Sequence, residues 1–219
     1  MTPLASELEA MNASVRAQAP ATVLDTIDAA NRRLAQSGLA ERALQAGQRA
    51  PEFVLPDAKG AAVTLSDLRS RGPVVLSFYR GAWCPYCNLE LQAWQRHLPE
   101  LQARGASFAA ISPQLPDASL TLAQKHALGY PVLSDLANRV ARQFGIVYTL
   151  DESLRPVYEQ FGIDLQASNG DSSFELPVPA TYLIGRDGIV AGAWVDADYR
   201  RRAEPSAVLA RLDEIATHA

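Results

Sequence analysis

Cysteine is scarce in this chain, with two among 219 residues, and histidine occurs only three times. Two cysteines exclude a multi-bridge disulfide framework, and a chain of this length can bury a large core without such staples. A tetrahedral metal site would have to draw on Cys84, Cys87, His97, His126 and His218, and none of these stand at finger-like spacing. No metal and no cofactor is therefore expected, and His97 and His126 read as ordinary surface or half-buried histidines. A basic excess is also lacking: 20 Lys and Arg against 24 Asp and Glu give a formal charge of -4, which argues against a nucleic-acid partner held by a basic surface. No apolar run approaches the roughly 18 residues that a membrane-spanning helix needs, so no membrane partner is expected. Met1 to Pro20 carries Glu7 and Glu9 and has neither the basic start nor the apolar run of a secretory signal, which predicts a cytoplasmic location. In that reducing compartment a close cysteine pair points to redox or metal chemistry rather than to a structural bridge.

Residues 1–47 read as a helical arm. Leu4, Leu8, Met11 and Val15 recur at helical spacing, Pro20 interrupts, and Leu24, Ile27, Leu34 and Leu44 mark a second stripe. The arm can cover the sheet of its own chain or pack against a second copy as a homodimer contact. From residue 48 the texture changes, and 48–219 reads as one α/β domain. A hairpin is predicted around Asp57-Ala58-Lys59-Gly60, strands at 73–79, 107–112, 131–133, 180–184 and 189–195, and helices at 84–98, 117–127, 136–144 and 206–215. Pro99 is expected to end or kink the 84–98 helix. Arg200-Arg201-Arg202, beside Asp196, Asp198 and Glu204, reads as a solvated charged face.

The chemistry concentrates in Tyr79-Arg80-Gly81-Ala82-Trp83-Cys84-Pro85-Tyr86-Cys87. A strand leaves through Gly81 and turns into a helix, with Cys84 at the N-cap and Pro85 at the first helical position, where its missing N–H breaks no helical bond. The positive end of a helix stabilises a thiolate and can lower a cysteine pKa from about 8.5 to roughly 3.5–7.5. One helical turn brings Cys87 under Cys84, within reach of a disulfide. With no third cysteine in the chain, any intramolecular resolution of an oxidised sulfur uses this pair. Trp83 and Tyr86 can wall a substrate or pack the helix start.

Three segments carry a resemblance. Ala50-Pro51-Glu52-Phe53-Val54-Leu55-Pro56-Asp57, closing in Leu65-Ser66-Asp67-Leu68, is similar to the opening of many peroxiredoxins. Trp83-Cys84-Pro85-Tyr86-Cys87 resembles the thioredoxin active-site turn, and Val178-Pro179-Ala180-Thr181-Tyr182-Leu183-Ile184 resembles the segment that faces the dithiol with a cis-proline. Together they resemble the peroxiredoxin-like alkyl hydroperoxide reductase and thiol-specific antioxidant family of the thioredoxin-fold superfamily. The resemblance implies a mixed central sheet flanked by helices and a cis bond before Pro179. It also implies a thiol peroxidase that reduces hydrogen peroxide or organic hydroperoxides through a Cys84–Cys87 disulfide and is recycled by a thioredoxin- or glutaredoxin-like dithiol.

The departures from the family pattern matter as much. Laid on Cys87, with Glu90 as the acidic residue, the frame puts Cys84 where the family has Thr and Arg80 where it has Pro, and the late-strand Arg position falls on Pro179. Arg80 is accordingly expected to supply the positive charge at the dithiol. By thioredoxin logic Cys84 attacks and Cys87 resolves, whereas by peroxiredoxin logic Cys87 is oxidised to a sulfenic acid and Cys84 condenses with it; Cys84, at what is expected to be the more exposed helix start, is favoured as the more reactive thiolate. A disulfide reductase acting on protein or small disulfides, and a non-catalytic redox sensor, are the alternative functions.

Overall fold

The computed structural model describes residues 2–217, so His218 lies outside the described residues. Three helices open the chain: α1 (Leu4–Gln18), α2 (Ala21–Gln36) and α3 (Leu39–Arg42). A hairpin follows, β1 (Val54–Pro56) and β2 (Ala62–Thr64), paired antiparallel across a turn in which Asp57 accepts from the backbone of Lys59 and Ala61. Then come α4 (Leu65–Arg71), β3 (Val74–Phe78), α5 (Pro85–Ala103), β4 (Ser107–Ser112), α6 (Pro116–Lys125) and β5 (Val132–Ser134). The second half holds α7 (Arg139–Gln143), β6 (Val147–Thr149), α8 (Arg155–Gln160), α9 (Leu165–Asn169), β7 (Glu175–Pro177), β8 (Ala180–Ile184), β9 (Val190–Val195) and α10 (Pro205–Ala216).

The central sheet has five strands in the order β5-β4-β3-β8-β9, with β3, β4 and β5 parallel and β8 and β9 antiparallel to their neighbours. All five residues of β3 are buried because both faces of the sheet are covered. Alternate side chains therefore enter different cores. Val75 joins Leu91, Trp94 and Leu101 of α5 with Val208 and Leu212 of α10, whereas Val74, Leu76 and Phe78 join Leu65, Leu68 and Phe144. This is the mixed, helix-flanked sheet expected from the sequence.

The arm folds back on its own chain, with α1 packed along α5. Leu4 and Leu8 of α1 are buried in the same cluster as Cys84, Tyr86 and Cys87. The first backbone N–H groups of α1, at Leu4 and Ala5, donate to the Glu204 carboxylate at 2.9 and 3.1 Å, and Glu7 pairs with Arg96 of α5 at 2.9 Å. A carboxylate at a helix N-terminus satisfies orphan donors and complements the helix dipole.

Two expectations about helices need correction. α5 does not end at Pro99 but continues to Ala103, because Leu98 and Leu101 on either side are buried in the core and outweigh the missing backbone bond. The segment 136–144 is not one helix. Ala137 and Asn138 take φ of +59° and +54° in a 3-10 turn (Leu136–Asn138), and α7 then restarts with its Val140 and Ala141 N–H groups capped by the buried Asp135 carboxylate.

Candidate active site

β3 delivers the chain to the site through Tyr79, Arg80 and Gly81. Gly81 has φ of +155°, and a Cβ there would lie 2.3 Å from the Trp83 indole nitrogen, so only glycine lets Trp83 fold back over the turn. Cys84 then caps α5, with its N–H donating to the Gly81 carbonyl at 3.1 Å and its carbonyl accepting from Asn88 at 3.1 Å. Pro85 occupies the first helical position.

Both sulfurs are wholly buried, which corrects the expectation that Cys84 is the more exposed of the two. α1 and the loop before α10 cover the helix start, a long-range packing that local spacing does not display. Both cysteines are free thiols, and their sulfurs are hydrogen-bonded to each other. Arg80 Nη2 donates to Cys84 Sγ at 3.4 Å, and Arg202 Nη2 donates to Cys87 Sγ at 3.3 Å. Burial alone would raise the Cys84 pKa, but the hydrogen bond from Cys87 and the charges of Arg80 and Arg202 outweigh it and hold Cys84 well below the ordinary thiol value. Cys87 is pushed well above that value by burial, by its hydrogen bond to Cys84 and by the Cys84 charge. The pair is thus divided, with the lower pKa at Cys84 and the higher at Cys87.

Arg80 is held on all sides. Nη1 donates to the Tyr158 hydroxyl at 3.1 Å, and the guanidinium lies 5.0 Å from the Trp83 ring and 3.9 Å from the Tyr199 ring. Arg202 is equally confined. Its Nε donates to Glu90 at 2.6 Å, and Glu90, itself fully buried, also accepts from Ser77 and Thr181. The Arg200-Arg201-Arg202 run is therefore not wholly a solvated face, because Arg202 turns inward to the buried Glu90 carboxylate, which balances its charge.

Pro179 stands just before β8, whose Ala180 lies opposite Phe78, so it marks the sheet end from which the active-site turn leaves. No peptide bond among the described residues is cis, which corrects the expected cis bond before Pro179. The trans form is the ordinary preference of an X–Pro bond, and here the antiparallel register of β8 on β3 accommodates it. Pro179 lines a small cavity together with Thr181 and Arg202.

The model of the AhpC/TSA family matches residues 46–193, which takes in the whole turn and four of the five sheet strands together with most of β9. The chain belongs to the AhpC/TSA family. Peroxiredoxin Bcp of Escherichia coli (strain K12) is 34% identical over 103 residues, covering 47% of this chain and 65% of that protein. A putative peroxiredoxin of Mycobacterium tuberculosis (strain CDC 1551 / Oshkosh) is 36% identical over 114 residues, covering 52% of this chain and 74% of the relative. The crystal structure of peroxidoxin BcpB from Mycobacterium tuberculosis superposes with a TM-score of 0.62 at 27% identity, over 78% of this chain and 98% of that one. The central sheet and its helices are thus the thioredoxin fold of peroxiredoxins.

Within this AhpC/TSA chain, sequence reasoning missed Arg202, Tyr158 and Tyr199. Only the basic run at 200–202 offered any signal, and it pointed to solvent. Trp83, Pro85 and Tyr86 line a cavity of about 480 Å³ beside the dithiol, closed on the other side by α8 and by the elbow between α1 and α2. Trp83 packs on Tyr158 at 5.4 Å and Tyr86 on Tyr199 at 5.4 Å, so both aromatic residues wall the cavity and pack the helix start at once. His97 and His126 lie away from the dithiol, half-buried, bonded to the Ala93 carbonyl and to Gln92.

Proposed function

We propose that this chain is a thiol peroxidase that reduces hydrogen peroxide or organic hydroperoxides through a Cys84–Cys87 dithiol/disulfide cycle. The observation that carries the reading is the divided pair: Arg80 on the Cys84 sulfur and Arg202 on the Cys87 sulfur, with the Cys84 pKa lowered and the Cys87 pKa raised. Cys84 attacks the terminal peroxide oxygen, the O–O bond breaks as the S–O bond forms, and sulfur is oxidised to a sulfenic acid while the alkoxide or hydroxide leaves and takes a proton. Arg80 sits where negative charge is passed from sulfur to oxygen and steadies it in both places. The Cys87 sulfur then displaces hydroxyl from the sulfenic acid; the Cys87 proton leaves in the water formed, and the disulfide closes.

An external dithiol of the thioredoxin or glutaredoxin class reopens the disulfide by exchange and is itself oxidised. In this reading residues 48–219 carry the chemistry, residues 1–47 form an arm over it, and a reducing compartment such as the cytoplasm suits the cycle. A second reading, exchange with protein or small disulfides, is favoured by the Cys84-Pro85-Tyr86-Cys87 turn at a helix start, where the first thiol is low and the second high in pKa.

Mixing reduced protein with hydrogen peroxide, an organic hydroperoxide or a mixed disulfide, with NADPH oxidation coupled through thioredoxin and its reductase, tests both. Peroxide oxidation well above the rate of a free thiol is expected. Oxidation no faster than a free thiol overturns the peroxidase reading; rapid disulfide exchange in its place supports the second, and no turnover with either leaves a redox sensor.

A further inference from the structure

The cavity beside the dithiol has a composition that hydrogen peroxide does not call for. Arg80 is the one charged residue among the described residues that line it, and most of the rest is apolar or aromatic. Its volume, about 480 Å³, is within the range of small-molecule sites. Hydrogen peroxide, about twice the roughly 30 Å³ share of a water molecule, would fill about an eighth of it.

Two features tie this cavity to the reacting sulfur. Arg80 lines it and also donates to Cys84 Sγ at 3.4 Å, so one guanidinium spans the space between them. Arg80 is 5% exposed, yet its Nε–H has no hydrogen-bond partner, nor has the buried Trp83 indole N–H, another lining group. Buried donors without partners are uncommon, and both belong to residues of this cavity's wall, although the N–H groups themselves lie beneath its surface. The lining, one guanidinium among mostly apolar and aromatic side chains, suits a ligand with a small polar end and an apolar body.

One wall comes from the elbow between α1 and α2, where Val15, Ala19 and Pro20 meet Ile27. These residues precede the stretch matched by the family model, which begins at residue 46. The wall is thus an addition of this chain's arm to the common fold.

The geometry points to this cavity as the binding site for the apolar substituent of a bulky organic hydroperoxide, with the arm elbow as the element that selects large substituents over small ones. This rests on the peroxidase reading and deepens it. Only the terminal peroxide oxygen has to pass Arg80 to reach Cys84, while the substituent stays between the elbow, Trp83 and the half-exposed Phe161. The chemistry is unchanged: the O–O bond breaks, Cys84 takes the terminal oxygen, and the alkoxide gains a proton and departs as the alcohol.

The test compares kcat/KM for cumene hydroperoxide and for hydrogen peroxide in the full chain and in Ala19→Trp and Val15→Trp, each of which fills the elbow side of the cavity. Burial of a phenyl-sized group corresponds to about a tenfold to hundredfold preference, so the ratio in the parent is expected to fall by about tenfold or more in the variants. A ratio that stays within threefold of the parent in both variants overturns the inference, whatever happens to the absolute rates. Calorimetric titration with 2-phenyl-2-propanol, the product alcohol, gives a readout without turnover. Should no peroxide oxidise the parent faster than a free thiol, the peroxidase reading falls, and alcohol binding decides this site: saturable binding weakened by Ala19→Trp supports it, and absent or unaltered binding overturns it.

Discussion

Arg202 donates to the Cys87 sulfur at 3.3 Å from 115 residues away in the chain, while its Nε holds the Glu90 carboxylate at 2.6 Å. Glu90 follows Cys87 on α5, so the arginine clamps two successive turns of the active-site helix to the loop before α10. Its side chain is 1% exposed and that of Glu90 is fully buried, which makes the two charges interdependent. Arg202→Met leaves Glu90 buried and unpaired and is expected to lower unfolding free energy by about 3–5 kcal/mol. The double variant Arg202→Met/Glu90→Gln should recover at least half of that in urea denaturation; no recovery would show that the pair is not the origin of the loss.

Arg80 is expected to govern thiol reactivity. A hydrogen bond to a charged group contributes about 1.5–3 kcal/mol, so Arg80→Ala should raise the Cys84 pKa and slow alkylation at pH 7 by about tenfold to a hundredfold. Alkylation measured against pH reads both quantities. A variant with the thiol pKa and the peroxide rate of the parent disposes of the role.

The division of the pair has a kinetic signature. With Cys87→Ser, the remaining Cys84 should react faster at neutral pH than the remaining Cys87 does in Cys84→Ser, since Cys84 is lowered and Cys87 raised. The reverse order would make Cys87 the attacking residue.

Thermodynamics offers an independent measure of the same division. Cys84 is ionised in the folded chain at pH values where the unfolded chain, with an ordinary thiol near 9.0, still binds the proton. Unfolding therefore takes up a proton, and the contribution of Cys84 to stability grows as pH rises toward 9.0 and is lost as pH falls through the folded value. The parent, compared under reducing conditions with Cys84→Ser, is expected to gain stability with pH over that window. Above it the raised Cys87 reverses the slope, because the unfolded chain then loses a proton that the folded chain keeps. A pH-independent difference between parent and Cys84→Ser counts against a folded-state thiolate.

Gly81→Ala puts a methyl group 2.3 Å from the Trp83 indole nitrogen at a backbone φ of +155°. Strain of this kind is of order 1–3 kcal/mol, and Trp83 must swing off the turn. A lowered denaturation midpoint together with a shifted Trp emission is expected; emission and midpoint both equal to those of the parent would mean that Trp83 does not need the glycine.

The dithiol, its helix start and the strand behind it were legible because their meaning lies in adjacent residues: Gly81, Cys84, Pro85 and Cys87 follow one another within one strand exit and one helical turn. Strands β3, β4, β8 and β9 were legible as apolar runs between turns. Arg202, Tyr158 and Tyr199 were not, since a side chain that meets Cys84 or Arg80 from a distant loop leaves no periodic mark. The same holds for β6 and β7, each three residues long, and for the break at Ala137 and Asn138, which depends on the Asp135 cap. Burial of Cys84 escaped local reading for a related reason: what covers it comes from both ends of the chain.

Glu204 stands two residues after Arg202 and accepts from the first backbone amides of α1. The chain's opening helix and the arginine on Cys87 are thus moored to one short loop, as two ropes to a single cleat. The loop is held from outside by the α1 amides on Glu204 and from inside by the Cys87 sulfur and the Glu90 carboxylate on Arg202. Proteolysis within α1 is accordingly expected to differ between the reduced and the disulfide form, and equal cleavage rates in the two would show that the shared mooring transmits nothing.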